Sequence, residues 1–189
     1  MTDLVSSTCL VWRLQGQVWS DSGRARGLDT DQPTHLTWWD LRSGMRVERV
    51  DRVLVCENPS VLEAIATAGI EVAVICTSGR ANLVTGQVLS HVAESRSPMT
   101  THGDFDWPGL AMTADALDRY GAKPWLMSAK DYERVPGSLL LKGSPVESLW
   151  DPELAAAMRQ RGVAVHEGGG AGQDHRRPRV SIEAFGAGG

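Results

Sequence analysis

Short apolar runs rich in β-branched residues alternate with stretches of helical periodicity through the middle of the chain. Residues 52–56 form the first such run, and residues 60–68 carry the helical pattern that follows it. Pro59 suits the first turn of that helix, and Gly69 suits its end. The same order starts again with the apolar run at residues 71–76. This alternation is typical of βαβ units, so it predicts an α/β fold built on a mainly parallel sheet.

Later segments complete the predicted sheet. A third strand ends near Asp104, and residues 124–127 suggest a fourth. We therefore expect about four mainly parallel strands, flanked by helices, in a domain that covers residues 51–167. The last strand predicted in this domain is residues 163–166.

The regions on either side of this domain have a different character. Residues 1–50 offer one apolar stretch at residues 9–14 and one alternating stretch at residues 35–41, separated by polar sequence. We interpret them as the remnant of an upstream region with about one or two strands. Residues 168–189 are rich in Gly and Arg, and this composition buries too little apolar surface to order itself. We therefore predict a disordered tail there.

Composition limits the classes of protein to which the chain can belong. It has 189 residues, and no apolar run approaches the roughly 20 residues that a membrane span requires. The first residues lack a basic and apolar leader, so we expect a cytoplasmic protein with no membrane segment. The net charge of −4 does not decide about nucleic acid, because carboxylates that bind metal add to the acidic count. One arginine cluster could follow a phosphate backbone or form a solvated rim: Arg42, Arg46, Arg49 and Arg52.

Acidic residues follow two of the predicted strands. Ligands of an open parallel sheet bind beyond the carboxyl ends of its strands, and Glu57 and Asp104 occupy that position. Asp106 faces the same side as Asp104 if the chain remains extended between them. Carboxylates this close together require a counter-charge, and a sparse all-oxygen set suits Mg²⁺. The sequence therefore predicts a magnesium site here, although an Asp-x-Asp pair taken alone is more typical of a turn or a helix cap.

Further polar residues near the strand ends are candidate phosphate contacts. Asn58 and Ser78 follow strands, but turn or helix-capping duties explain both residue types without a function. His102 could donate to a phosphate or steady a carboxylate, whereas a lone histidine beside a turn is more often an ordinary hydrogen-bonding residue. Lys142 follows an apolar run, where lysines commonly mark the edge of a strand.

Several strings of sequence resemble a bacterial family of conserved hypothetical proteins whose C-terminal domain of unknown function is Toprim-like. The resemblance covers roughly residues 35–167, and the family looks related to the Toprim domain of topoisomerase VI. Its members accompany SMC-type ATPases in Wadjet-type anti-plasmid defence systems. The matching strings are VCENPSVL at 55–62, TSG at 77–79, HGDFDWPGL at 102–110 and WDPEL at 150–154.

This resemblance implies a Toprim-like Rossmannoid fold and Mg²⁺-dependent cleavage of DNA, with Mn²⁺ as a substitute metal. It implies that Asp104 and Asp106 coordinate the metal, while Glu57 acts as general acid/base or contacts the metal. It also implies DNA and SMC-type ATPase subunits as partners, and we consider a homodimer as well.

Two alternatives stay open. Full-length members of the family carry a long region before this domain and further helical sequence after it, so the chain could be a truncated, catalytically inactive module that acts through a partner. A haloacid-dehalogenase-like phosphatase also uses an Asp-x-Asp pair on a Rossmann-like sheet. In that superfamily the pair follows the first core strand, whereas Asp104 follows the third predicted strand of this domain.

Overall fold

The computed structural model describes residues 7–79, 82–137 and 139–166. The strands in chain order are β1 (Thr8–Trp12), β2 (Gly16–Trp19), β3 (Ala25–Gly27), β4 (Thr34–Thr37), β5 (Met45–Val47), β6 (Val53–Cys56), β7 (Ala73–Cys76), β8 (Met99–His102), β9 (Lys123–Pro124), β10 (Leu139–Leu140) and β11 (Val163–Ala164). The helices are α1 (Trp38–Leu41), α2 (Pro59–Thr67), α3 (Leu83–Glu94), α4 (Trp107–Tyr120), α5 (Ala129–Arg134) and α6 (Pro152–Arg161). The predicted tail at residues 168–189 lies outside the described residues.

The largest sheet has six strands in the order β4-β1-β7-β6-β8-β9. Strands β7, β6, β8 and β9 are parallel to one another, which confirms the predicted α/β fold with a mainly parallel sheet. Cys56 is aligned with Cys76 on one side and with His102 on the other. The carboxyl ends of these three central strands therefore meet at one edge, which we call the carboxyl edge.

The first 50 residues contribute more strands than the sequence predicts. The expectation of one or two strands is wrong, because the described part of this region holds five. Strand β1 pairs antiparallel with β7, and β4 pairs antiparallel with β1, so both extend the main sheet. Strands β3, β2 and β5 form a separate three-stranded sheet. Strands β2, β3 and β5 were missed because they are three or four residues long and β3, with the sequence Ala-Arg-Gly, is exposed throughout.

Helices cover both faces of the parallel strands. Helix α3 and the second half of α4 pack on one face, where Val55 and Ile75 are buried. Helix α2 packs on the other face, where Leu54 and Val74 are buried. Successive side chains of a strand point to opposite faces, so a strand buried on both faces has an uninterrupted apolar sequence. This explains why β6 and β7 were recognisable from their sequence alone.

A third apolar cluster forms around the residues that follow β8. Phe105 and Leu110 pack there with Tyr132 of α5 and with Leu154 and Met158 of α6. The Tyr132 hydroxyl donates a hydrogen bond of 2.6 Å to the carbonyl of Val163. The C-terminal helices are thereby attached to the segment that carries the predicted Asp-x-Asp pair.

Two predicted strand positions need correction. The fourth parallel strand is Lys123–Pro124 rather than residues 124–127, because pairing with β8 stops at Pro124 and the chain turns soon afterwards. The last strand, β11, pairs with β10 in a two-stranded sheet of its own. None of the helices in the described ranges is long and apolar enough to cross a bilayer.

Candidate active site

Glu57 and Asp104 lie next to each other at the carboxyl edge. Glu57 directly follows β6, and Asp104 comes two residues after β8, the strand paired beside it. The backbone N–H of Asp104 donates a hydrogen bond to the Glu57 carboxylate. A Cβ atom on Gly103 would lie only 3.7 Å from Glu57 Oε2. The Glu57 side chain therefore crosses from its own strand to the end of β8, as the sequence predicts for neighbouring strand ends.

The surroundings of Glu57 favour its protonated form. Burial raises its pKa above the ordinary value, and the negative charges of Asp104 and Asp106 raise that pKa further. The Asp104 N–H and the nearby His166 act in the opposite direction but do not outweigh the first causes. A carboxyl group with a raised pKa exchanges its proton closer to neutral pH, which suits a general acid or base.

One carboxylate oxygen of Glu57 is buried without a hydrogen-bond partner among the described residues. This atom is Oε2. Burying a polar oxygen with nothing to satisfy it is unfavourable by about 1–3 kcal/mol, and more for a charged group. A proton, a water molecule or a cation bound to Oε2 would remove this cost. The neighbouring side chains offer carboxylate oxygens, the ligands that a hard divalent cation prefers.

Asp106 is the N-cap of α4. Its Oδ1 accepts a hydrogen bond of 2.7 Å from the backbone N–H of Gly109, and its Oδ2 lies 3.1 Å from Nε2 of His166. The helix-capping interpretation of the Asp-x-Asp pair thus holds for Asp106. It does not exclude a second task, because a carboxylate has about four lone-pair sites.

His166 is a residue that the sequence did not single out. It follows β11 at the end of the described chain, and its neighbour Val165 forms an isolated antiparallel bridge with Phe105. In the sequence, His166 is the last residue of the strand predicted at residues 163–166. The pairing that brings it to Asp106 depends on two segments far apart along the chain, which no local pattern reveals.

Gly109 is required for the tight turn between Asp104 and α4. A Cβ atom at this position would lie 2.2 Å from the carbonyl oxygen of Asp104, far inside van der Waals contact. The first turn of α4 therefore rests directly on the backbone of Asp104. This contact gives a physical reason for the glycine in the string HGDFDWPGL.

The acidic residues are neighbours, but they do not form a ready-made metal cage. Within residues 7–79, 82–137 and 139–166, no group of three or more His, Cys, Asp and Glu side chains is placed to hold a metal ion. The charges of Asp104 and Asp106 act on Glu57, while Asp106 itself is engaged by Gly109 and His166.

A large cleft opens beside these carboxylates. It has a volume of about 1210 Å³ and runs between α3 and α4. Glu57, His102 and Lys142 line it, whereas Asp104 and Asp106 are not among its lining residues. Of the three predicted site carboxylates, Glu57 is therefore the one that a molecule in the cleft can contact.

The remaining predicted phosphate contacts differ in what they do. The Oδ1 atom of Asn58 accepts a hydrogen bond of 3.0 Å from the Ser60 backbone N–H, so Asn58 caps α2. Ser78 is exposed at the carboxyl edge with a positive φ of 52°, a conformation that is uncommon for serine. Lys142 is exposed where it lines the cleft. Ser78 and Lys142 are thus accessible, while Asn58 has a structural task.

His102 is buried within β8. Its Nδ1 lies 2.9 Å from the carbonyl oxygen of Trp125, and its ring packs edge-on against the Trp125 ring at a centroid distance of 5.4 Å. A carbonyl oxygen only accepts, so Nδ1 donates this hydrogen bond. The ordinary hydrogen-bonding interpretation of this histidine accounts for both contacts.

A comparison with protein families adds to this geometry. The sequence model of a family described as a protein of unknown function C-terminus (DUF2399) matches residues 34–171, which is most of the chain. The chain belongs to the DUF2399 family. The match starts at the first residue of β4 and includes Glu57, Asp104, Asp106 and His166. A comparison with curated protein sequences found no match.

Membership of DUF2399 supports part of the resemblance seen in the sequence. The matched range agrees closely with the predicted extent of residues 35–167, and the family is defined by a C-terminal region of unknown function. It includes the whole parallel core, whereas β1, β2 and β3 precede it. The relation to Toprim domains goes beyond this finding.

Proposed function

We propose that this DUF2399 domain cleaves DNA phosphodiester bonds with the help of Mg²⁺, as its resemblance to Toprim domains implies. The observation that carries the proposal is the position of Glu57. Its Oε2 is buried without a partner among the described residues, it lies beside Asp104, and it faces a large cleft. A buried carboxyl oxygen without a partner, next to a space that can receive a substrate, is a chemical arrangement that a purely structural residue does not require.

Asp104, Asp106 and Glu57 are the residues that would hold the ion. A bound Mg²⁺ would polarise the phosphodiester and stabilise the charge on the leaving oxygen. Mn²⁺ is the expected substitute, since it accepts the same carboxylate and water ligands. These ligands come from two neighbouring strand ends, where a phosphate can approach from outside the sheet.

Glu57 would transfer the proton. Its raised pKa favours this role, since Glu57 exchanges its proton at higher pH than an ordinary glutamate and could take a proton from an attacking water or give one to the leaving oxygen. Lys142, exposed at the cleft, would contact a phosphate, and Ser78 would do so at the same edge. His166 would keep Asp106 oriented through the contact between Nε2 and Oδ2.

The identity of the partners rests on the resemblance alone. It supports DNA as the substrate, SMC-type ATPase subunits as partners and a cytoplasmic location. A homodimer is a further proposal that gel filtration coupled to light scattering would test.

A second candidate function is a module that keeps the fold without catalysis. Two observations favour it: no three-ligand metal arrangement exists among the described residues, and Asp106 is engaged by Gly109 and His166. Such a module would act through its partner. It would bind Mn²⁺ weakly or not at all.

The haloacid-dehalogenase-like phosphatase is less well supported. Asp104 follows β8, which is the third of the parallel strands along the chain, and the first of them, β6, is followed by Glu57 instead. In that superfamily the Asp-x-Asp pair follows the first core strand. Release of phosphate from p-nitrophenyl phosphate would nevertheless restore this candidate.

The decisive experiment is nicking of a supercoiled plasmid with Mg²⁺ or Mn²⁺. The wild-type chain is compared with Asp104→Ala and with Asp118→Asn, a matched control because Asp118 is exposed on α4 away from the acidic turn. We expect Asp104→Ala to lose nicking and Asp118→Asn to retain it. Nicking that persists in Asp104→Ala would remove the metal mechanism.

Calorimetric titration with Mn²⁺ separates the first two candidates. Mn²⁺ binding together with plasmid nicking supports the nuclease. A folded protein that neither binds Mn²⁺ nor nicks the plasmid supports the non-catalytic module. Mn²⁺ binding that Asp104→Ala leaves unchanged would place the ion elsewhere on the protein.

A further inference from the structure

A second pocket lies at the side of the main sheet, between the three-stranded sheet (β3, β2 and β5) and α1. It has a volume of about 380 Å³, and its lining includes Trp19, Arg24, Arg26 and Trp39. The guanidinium of Arg42 lies over the Trp39 ring, 4.6 Å from its centroid. Trp39 is nevertheless 56% exposed. We call these five residues the arginine–tryptophan pocket.

This pocket lies at the same edge of the sheet as the acidic residues. Thr37 at the end of β4 pairs with Thr8, and Leu10 pairs with Cys76 at the carboxyl end of β7. Helix α1 follows Thr37 directly, so it begins at the carboxyl edge. Strands β1 and β7 separate β4 from β6, and strands lie about 4.8 Å apart, so α1 is displaced sideways from Glu57 by roughly 14 Å.

The charges of the pocket are available to an anion. Arg26 forms an ion pair of 2.5 Å with Asp40, and Arg42 pairs with Asp21, but both arginine side chains are 38% or more exposed. Exposed ion pairs contribute only about 0–1 kcal/mol, so a phosphate can replace the carboxylate. Among the described residues, Arg24 has no ion-pair partner.

Asp40 also has other partners that would hold it in place. Its Oδ2 accepts hydrogen bonds of 2.8 Å from the Thr37 backbone N–H and 2.7 Å from the Thr37 hydroxyl. These bonds close the first turn of α1 without Arg26. Arg26 could therefore turn from Asp40 to a phosphate while α1 stays folded.

We propose that the arginine–tryptophan pocket binds a single-stranded segment of nucleic acid. An exposed tryptophan offers a stacking platform for any base, and neighbouring arginines contact the phosphates on either side of it. The sideways displacement of roughly 14 Å between α1 and Glu57 corresponds to only a few nucleotides, so one strand can extend from this side of the carboxyl edge to Glu57. The inference rests on the proposed function in so far as the strand held here is the one cleaved at the acidic site.

The test measures binding of a fluorescein-labelled single-stranded oligonucleotide by fluorescence anisotropy, in EDTA so that no divalent cation contributes. We expect about tenfold weaker binding by Trp39→Ala and nearly unchanged binding by Trp39→Phe, because phenylalanine keeps a stacking face. Arg42→Gln should weaken binding and make it less dependent on salt concentration. Far-UV circular dichroism shows whether each variant is folded.

Arg134→Gln is the matched control, since Arg134 is equally charged, 77% exposed and located on α5 in another part of the molecule. Its binding should equal that of the wild type. Wild-type affinity in Trp39→Ala, or wild-type protein that shows no salt-dependent binding, would overturn the proposal and leave a protein partner as the better fit for this surface. Complete competition by a free mononucleotide would also overturn it, because it would indicate a nucleotide site rather than a strand site.

The two proposals fail in distinguishable ways. Glu57→Gln should lose plasmid nicking and bind the oligonucleotide with unchanged affinity. If the wild-type protein nicks no plasmid but binds the oligonucleotide, and Trp39→Ala weakens that binding, the nuclease proposal is refuted and the pocket proposal stands. Nicking by a protein that binds equally well with and without Trp39 would refute the pocket alone.

Discussion

Asp106 and His166 are in contact although they are far apart in the sequence: Asp106 Oδ2 lies 3.1 Å from His166 Nε2. Two backbone hydrogen bonds between the adjacent residues Phe105 and Val165, of 2.9 and 3.1 Å, support this contact. The acidic turn after β8 is therefore attached to the last segment that the structure describes.

Replacing Asp106 should weaken the start of α4. Asp106→Ala removes the N-cap bond to Gly109, and the loss of such a cap lowers the free energy of unfolding by about 0.5–2 kcal/mol. Asp106→Asn keeps an oxygen for this bond and should recover most of the stability. Urea unfolding of the two variants measures the difference, and equal stability of both would show that the cap contributes nothing.

Gly109→Ala should destabilise the protein despite the better helix propensity of alanine. The new Cβ would meet the Asp104 carbonyl oxygen at 2.2 Å, and overpacking of this kind lowers stability by about 1–3 kcal/mol. Gly86→Ala in α3 is the matched control, because its Cβ would meet only the Tyr120 hydroxyl, at 3.5 Å. That variant should gain about 0.5–1 kcal/mol. Thermal unfolding that moves both variants in the same direction would contradict the prediction.

Glu57→Gln should raise stability at neutral pH. Burial and the charges of Asp104 and Asp106 raise the pKa of Glu57 in the folded protein above its ordinary 4.5. The folded state therefore holds this proton to higher pH than the unfolded chain, and stability falls as pH rises from the ordinary pKa through the raised one. The amide does not titrate, so the variant should be more stable than the wild type above that range.

Urea unfolding from about pH 4 to pH 8 measures this effect. Glu63→Gln is the control, since Glu63 is exposed on α2, and its stability should follow the wild-type pH dependence. A wild-type pH dependence in Glu57→Gln would show that Glu57 retains its ordinary pKa.

Mn²⁺ should stabilise the folded protein if the acidic residues hold a cation. At about 100 times the dissociation constant, a ligand that binds only the folded state adds about 2.7 kcal/mol, which raises Tm by about 5–10 °C for a protein of this size. EDTA should reverse the shift, and Asp104→Asn should abolish it. A shift of the same size in Asp104→Asn would mean that the ion binds elsewhere.

The central strands were predictable because burial on both faces leaves a continuous apolar sequence. The sequences Val-Leu-Val-Cys of β6 and Ala-Val-Ile-Cys of β7 are buried at every position. Helix α2 was equally clear, since Pro59 starts it and the chain turns at Gly69 with a positive φ of 66°. Glu57 and Asp104 could be placed at one edge from this order of elements alone.

The parts that were missed depend on contacts between distant segments. The pairing of β1 with β7 is not visible in the sequence, although the apolar stretch at residues 9–14 is, and the sheet formed by β3, β2 and β5 contains strands too short to carry a periodic signal. The N-cap bond of Asp106 follows from its position before Trp107-Pro108, whereas its contact with His166 requires the bridge between Phe105 and Val165. The local sequence therefore located the acidic residues, but it did not reveal the contact between Asp106 and His166.

The antiparallel pairing of β1 sets a practical limit on how this domain can be isolated. The DUF2399 match begins at Thr34, yet β1 ends at Trp12 and lies between β4 and β7. A fragment cut at the family boundary would lose β1, strip β4 of its neighbour and leave the N–H and C=O groups of β7 open along one side. Unpaired strand edges of this kind pair with other chains, so such a fragment should aggregate. A fragment that starts ahead of Thr8 keeps β1, which covers the edge of β7.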